Sequence, residues 1–180
     1  LAERCAAVMY ASDASSHHLG IEVVEVGPGR AVTTMTVAPT MVNGHGIVHG
    51  GYLFLLADTA FAFACNSHGE ATVARSADIV FVQPAHAGDT LVATAKERLR
   101  YGRDSRNGVS DVTIRRSDGT VVAEFRGQSR SLGRPLVEGG QGDGSGHEGD
   151  AAPDAVSRRS GTADRREGPA GQGPEGRPGA

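Results

Sequence analysis

The chain has 180 residues, a formal net charge of −3 at pH 7 and 38% hydrophobic residues. That length holds one domain with a sizeable core and a remainder, and the weak negative charge argues against a nucleic-acid or anionic-membrane partner. Residues 1–134 carry 13 basic and 13 acidic side chains, so the net charge belongs entirely to the C-terminal part.

The first dozen residues, with Val8, Met9 and Tyr10 near alanines, read as a short helix. Leu19 to Val26 alternates apolar and polar residues like a half-buried strand, Gly27-Pro28-Gly29 turns the chain, and Ala31 to Val37 returns as its hairpin partner. Pro39 to His49 is a loop containing Asn43-Gly44-His45-Gly46. An apolar helix then runs from about Gly50 to the Asn66-Ser67-His68-Gly69 region. At 47–65 the apolar stretch is short for a membrane span and includes Gly-Gly and Asp, which favours a buried helix. Four strands follow: Val73–Val82, Thr90–Leu99, Gly108–Arg115 and Val121–Leu132. Ser117-Asp118-Gly119-Thr120 reads as a two-residue hairpin turn. Strands in succession imply an antiparallel sheet, and a helix apolar on nearly every side must be wrapped by it. From Gly139 onward the chain is Gly, Pro, Ser and charged residues, which cannot bury enough surface to offset ordering entropy. The expected division is therefore a domain at 1–136 and a disordered tail at 137–180, read as a dispensable extension or an interaction tail.

Cys5 and Cys65 are the only cysteines, which fits a reducing compartment and leaves no cysteine metal site. With no secretory-leader pattern at the front, the chain is expected in the cytoplasm. His45 and His49 are four apart, but they sit in a Gly-rich loop without the Glu of a metalloprotease motif, so no metal is expected.

One charge is out of place. Between Val48 and Cys65, Asp58 is the sole ionisable acid and no Lys or Arg accompanies it. An ionised carboxylate in apolar surroundings costs several kcal/mol unless something pairs with it. Gly50 and Gly51 stand eight and seven residues earlier, where the apolar run begins. A buried acid near a glycine-opened helix start marks a site; the structural alternative is an Asp hydrogen-bonded in an interface.

Asn43-Gly44-His45, His49-Gly50-Gly51, Leu56-Ala57-Asp58-Thr59-Ala60-Phe61-Ala62 and Ala64-Cys65-Asn66-Ser67 closely resemble the PaaI phenylacetic acid degradation thioesterases of the hot-dog superfamily. Pro84, Ala87-Gly88-Asp89-Thr90-Leu91 and Phe125-Arg126-Gly127 fit the same pattern, and the resemblance spans roughly residues 5–134. It implies an α+β hot-dog fold, an antiparallel sheet wrapped around a long central helix, dimerising into a continuous sheet and usually doubling to a tetramer. It also implies hydrolysis of acyl-CoA thioesters, favouring aryl-acetyl groups, with no metal or organic cofactor. The active sites would lie at the dimer interface, with the glycine from one subunit and the acid from the other.

Under that resemblance the residues take roles that chemistry supports. Gly50 would offer its helix-start N–H to the developing oxyanion, where the helix dipole favours negative charge. Its structural alternative is a turn or close packing. Asp58 would be general base for water or direct nucleophile. Asn43 matches positions that hold the thioester or the attacking water, although Asn is also a common turn residue. His49 would orient the Gly50 loop or touch substrate, or simply bond the helix start. Gly51, Ser76 and Phe54 are candidates for substrate contact. Ser76, 18 residues past Asp58, has Arg75 and Asp78 as neighbours where smaller residues are expected. Phe54, Phe61 and Phe63 suit an aryl pocket or, more commonly, a core. Arg98, Arg100, Arg103 and Arg106, with Arg115 and Arg116, suit CoA phosphates or solvated strand ends.

Two other functions compete. A hot-dog hydratase or dehydratase would pair a His with an acid, but no His follows Asp58 at helical spacing. A non-catalytic acyl-CoA sensor would have no need for the buried charge at Asp58.

Overall fold

A computed structural model of the chain describes residues 1–137. Two short helices, α1 (Ala2–Ala11) and α2 (Ala14–Leu19), precede the hairpin β1 (Glu22–Gly27) and β2 (Arg30–Thr36). The long helix α3 (Gly50–Asn66) follows, then β3 (Glu70–Phe81), β4 (Thr90–Tyr101), β5 (Asn107–Arg116) and β6 (Val121–Pro135). The strands form one six-stranded sheet in the order β1-β2-β4-β5-β6-β3, every neighbouring pair antiparallel. No helix among the described residues is long and apolar enough to cross a membrane.

The predicted strands all form, and β4, β5 and β6 alternate between a face against α3 and a face outward. On β5, Val112 and Ile114 are fully buried while Arg115 is exposed. The helix approaches closely because alanines line both surfaces: Ala57, Ala60 and Ala64 on α3 meet a sheet face carrying Ala31, Ala93, Ala95 and Ala123, all buried. Leu56 and Phe61 fill the remaining volume, each contributing roughly 1.5–3 kcal/mol of burial. At Gly127 the sheet yields to the helix. A Cβ there would lie 2.8 Å from Cε2 of buried Phe61 and 3.0 Å from Cε1 of Phe125. Gly127→Ala is therefore expected to lose about 1–3 kcal/mol of stability, measured as a lower urea midpoint at unchanged slope.

Two details differ from the sequence reading. Residues 14–19 form a second helix where the sequence reading assigned nothing before a strand beginning at Leu19. Asp13 caps it by accepting from Ser16 N–H (3.0 Å), and Gly20 ends it at φ 65°. The β5–β6 turn occupies four residues rather than two. Asp118 accepts from Thr120 N–H (2.9 Å) and from the Arg116 guanidinium (3.1 Å), while Arg116 N–H donates to Thr120 carbonyl (3.0 Å) and Gly119 N–H to Arg116 carbonyl (2.9 Å), closing the turn. At the C-terminal side, Leu136 N–H donates to Gly69 carbonyl (2.8 Å) and Val137 is buried. The expectation of disorder for the rest of the tail lies outside the described residues.

The C-terminal end of α3 is stitched to its surroundings. Ser67 Oγ accepts from Gly29 N–H (2.7 Å), His68 Nε2 lies 3.2 Å from Glu97 Oε1, and the Asn66 amide bonds both Thr72 N–H and Thr72 carbonyl at 2.8 Å. These bonds fix which end of the sheet each end of α3 occupies.

Candidate active site

The loop before α3 is held by its own backbone. Asn43 N–H donates to Ile47 carbonyl (2.8 Å), Gly46 N–H to Asn43 carbonyl (2.9 Å), and Asn43 Oδ1 accepts from His45 N–H (2.9 Å). Val48 and His49 N–H then donate to Ala85 and Met41 carbonyls, both at 2.8 Å, pinning the loop between two other segments. These bonds leave two donors unspent. No described residue accepts from Gly50 N–H or from the Asn43 Nδ2 group. Both residues border one cavity of about 480 Å³, whose other walls are Ile47, Val48, Leu53, Phe81, Val82, Gln83 and Pro84. A mostly apolar cavity with two convergent donors suits a small acyl group whose carbonyl must be held.

Phe81 is the wall that sequence reasoning missed. A Cβ on Gly50 would sit 2.7 Å from Phe81 Cζ, so the ring lies directly over the glycine Cα. The available signal was its place on the helix-facing register of β3, opposite buried Ala123, just before Pro84.

Asp58 sits eight residues further along α3, about 12 Å at the helical rise, and is not among the walls of that cavity. It is half-buried and no described residue hydrogen-bonds or ion-pairs with it. Burial pushes its carboxyl above the ordinary carboxylate range. It lies on a stripe with Gly51, Leu55 and Ala62, spaced at helical repeat, which is the less buried side of α3. That side is only partly covered among the described residues. One turn before Asp58, Phe54 is 37% exposed and stands edge-on to Phe125, ring centroids 5.3 Å apart. Phe61 and Phe63 are core.

The other candidates are placed as follows. His49 caps α3, its Nδ1 accepting from Gly51 N–H (3.3 Å), so the Gly51 donor is taken and His49 holds the turn. Ser76 is exposed at a β-bulge on β3, opposite Gln128, with no hydrogen bond to a described residue. His45 is exposed. Cys65, two turns beyond Asp58, is a poor nucleophile: burial first, then the nearby Glu97 charge, pushes its thiol up to about 12.

Residues 45–123 match the thioesterase superfamily. The acyl-coenzyme A thioesterase PaaI of Escherichia coli K12 is 48% identical over 129 residues, covering 72% of this chain and 90% of that protein. The chain belongs to the PaaI-type acyl-CoA thioesterases. The solved structure of the E. coli PaaI protein, from the phenylacetic acid degradation operon, matches with a TM-score of 0.71 over 74% of this chain and 95% of its own. A mutant form of the phenylacetic acid degradation protein PaaI from Thermus thermophilus matches at 35% identity and TM-score 0.62, covering 67% of this chain and all of that one (100%). The smu.793 protein of Streptococcus mutans UA159, solved bound to acetyl CoA, matches at 26% identity and TM-score 0.59, covering 64% and 90%. The fold is the hot-dog fold, and the activity class is acyl-CoA thioester hydrolysis.

Proposed function

We propose that this enzyme hydrolyses phenylacetyl-CoA or hydroxyphenylacetyl-CoA type thioesters at a site shared between two copies of the chain. The observation that carries the reading is a separation: the free Gly50 N–H and the unpartnered Asp58 lie on one helix, about 12 Å apart and on different walls. Neither can complete chemistry with the other inside one chain. β3, at the edge of the sheet, offers an unpaired strand of 12 residues with Val73, Val80 and Phe81 exposed and Val82 just beyond. Such an edge pairs readily with another strand. Antiparallel pairing of two β3 edges sets the Gly50 end of one chain beside the middle of the other's α3, where Asp58 waits.

The thioester carbonyl oxygen accepts from Gly50 N–H, with the Asn43 amide as second donor, and negative charge develops at the helix N-terminus. Asp58 of the partner subunit either takes a proton from the attacking water or attacks the carbonyl carbon itself. In the first route water's oxygen forms the C–O bond, the C–S bond breaks, and the proton taken by Asp58 passes to the departing CoA thiolate. In the second, Asp58 forms the C–O bond of an acyl anhydride as the C–S bond breaks. A water then hydrolyses that anhydride, releasing the acid, restoring Asp58 and supplying the thiolate's proton. No metal or organic cofactor enters the scheme, CoA being part of the substrate. The aryl preference is supported by the apolar cavity with Phe81 as one wall and by the descriptions of the PaaI relatives.

Mixing two inactive variants tests the shared site. Gly50→Val and Asp58→Asn each lack one partner of every site. A heterodimer of the two contains one intact site and one doubly damaged site. Refolding them together at equal ratio should restore about a quarter of wild-type thiol release from phenylacetyl-CoA. Recovery no greater than the sum of the separate variants sinks the two-chain site.

A further inference from the structure

The arginines divide by partnership. Arg30 pairs with Glu25, Arg98 and Arg126 share Asp111, and Arg116 meets Asp89 and Asp118. Arg75, Arg100, Arg103, Arg106, Arg130 and Arg134 have no ion-pair partner among the described residues, and all but half-buried Arg100 are exposed. These six converge. β4 ends at Tyr101, β5 begins at Asn107, β6 ends at Pro135 and β3 begins at Glu70, so in an antiparallel order β4-β5-β6-β3 the four termini share one end of the sheet. Contacts tie them together. Arg75 Nη1 donates to Asn107 Oδ1 (3.4 Å), Arg130 stands opposite both Asn107 and Val73, and the Arg106 guanidinium covers Gly133.

Three acids near this end, Glu70, Glu97 and Asp104, offset only part of the charge of the six arginines. Glu70 accepts from Ser131 Oγ, Glu97 holds His68, and Asp104 lies within the β4–β5 loop itself. That loop is strained: Asp104 at φ 55° and Ser105 at φ 51° adopt the left-handed region without being glycine. Left-handed backbone at residues other than glycine clusters at functional positions.

The patch also stands where an acyl-CoA would reach it. Asn66 bonds Thr72, so α3 finishes at this end of the sheet, with Asp58 eight residues, or about 12 Å, short of it. A pantetheine arm spans a gap of that order between its sulfur and its phosphates.

We propose that this arginine cluster binds the phosphates of the CoA nucleotide while Asp58 of the same chain works on the thioester. The assignment rests on the shared-site reading above and names the part of the substrate that site leaves outside it. Arginine forks match phosphate oxygens bidentately, and guanidinia without an ion-pair partner need not leave a carboxylate to do so.

The test uses Arg103→Ala, Arg130→Ala and Arg134→Ala, with the ion-paired Arg30→Ala as control. Each patch variant should raise KM for phenylacetyl-CoA about tenfold. kcat, and turnover of the phosphate-free N-acetylcysteamine thioester, should not change. Calorimetry with adenosine 3′,5′-bisphosphate should show binding to wild type and Arg30→Ala, weakened in the patch variants. An unchanged KM, or equal effects on both thioesters, overturns the assignment. So does a wild-type protein that does not bind the bisphosphate. If wild type cleaves no thioester, the thioesterase reading fails by itself, and the calorimetry still decides the patch.

Discussion

Asp58→Asn is expected to fold normally and to lose about a thousandfold or more in kcat toward phenylacetyl-CoA. Positioned general bases contribute roughly 10²–10⁴, and loss of a nucleophile removes more. The amide keeps the size of the carboxylate and cannot accept a proton at neutral pH. Stability should move the other way. Burial raises the Asp58 pKa, so the native state favours the protonated form, and keeping the group ionised opposes folding at pH above its native pKa. That penalty is absent below the unfolded pKa and grows as pH rises toward the native one. The asparagine variant should accordingly melt at or slightly above wild type at pH 7, and the difference should vanish in acid. In wild type, kcat should fall as pH drops through a pKa above the ordinary aspartate range, since only ionised Asp58 works. A variant with wild-type kcat, or one that melts far below wild type, removes Asp58 from the proposed role.

Gly50→Ala combined with Phe81→Ala gives the second large effect. The alanine Cβ would meet the Phe81 ring at 2.7 Å. Phe81 is 54% exposed and the clash is with the far end of its ring, so the ring swings away and the fold survives. The cavity wall moves with it, and a displacement near 1 Å can cost about a hundredfold in kcat/KM. Removing the ring first leaves room for the methyl. In the Phe81→Ala background the Gly50→Ala penalty should shrink to a few-fold, a coupling of at least about 1 kcal/mol in a double-mutant cycle. Additive losses would mean that Gly50 is required for a reason other than the ring above it.

How far each feature was legible follows from how local its cause is. The β4 to β6 strands could be read because every second residue faces α3, as with Val112 and Ile114 on β5. The stretch 14–19 was less legible: its helix is set by the Asp13 cap and Gly20, signals weaker than the apolar alternation that begins beside them. Asp58 stood out from composition alone, since burial without a partner is unusual for a carboxylate. Phe81 did not, because its place beside the cavity depends on a contact with Gly50, 31 positions earlier, and no periodicity reports a contact between distant segments. The arginines were visible as a cluster in sequence. Only the pairing with Asp111, Asp89 and Asp118 separated Arg98 and Arg116 from those left uncompensated.

Under the proposed shared site, the β3 edge would also govern how the enzyme behaves on dilution. A catalyst assembled within one chain keeps the same specific activity at any concentration. One whose oxyanion donor and acid arrive on separate chains becomes silent as its subunits part, and newly made chains stay inert until they meet. Specific activity should therefore rise with enzyme concentration and level off above the dissociation constant of the pair. Thioester hydrolysis in the cell would then follow the square of the amount of chain while that amount is low.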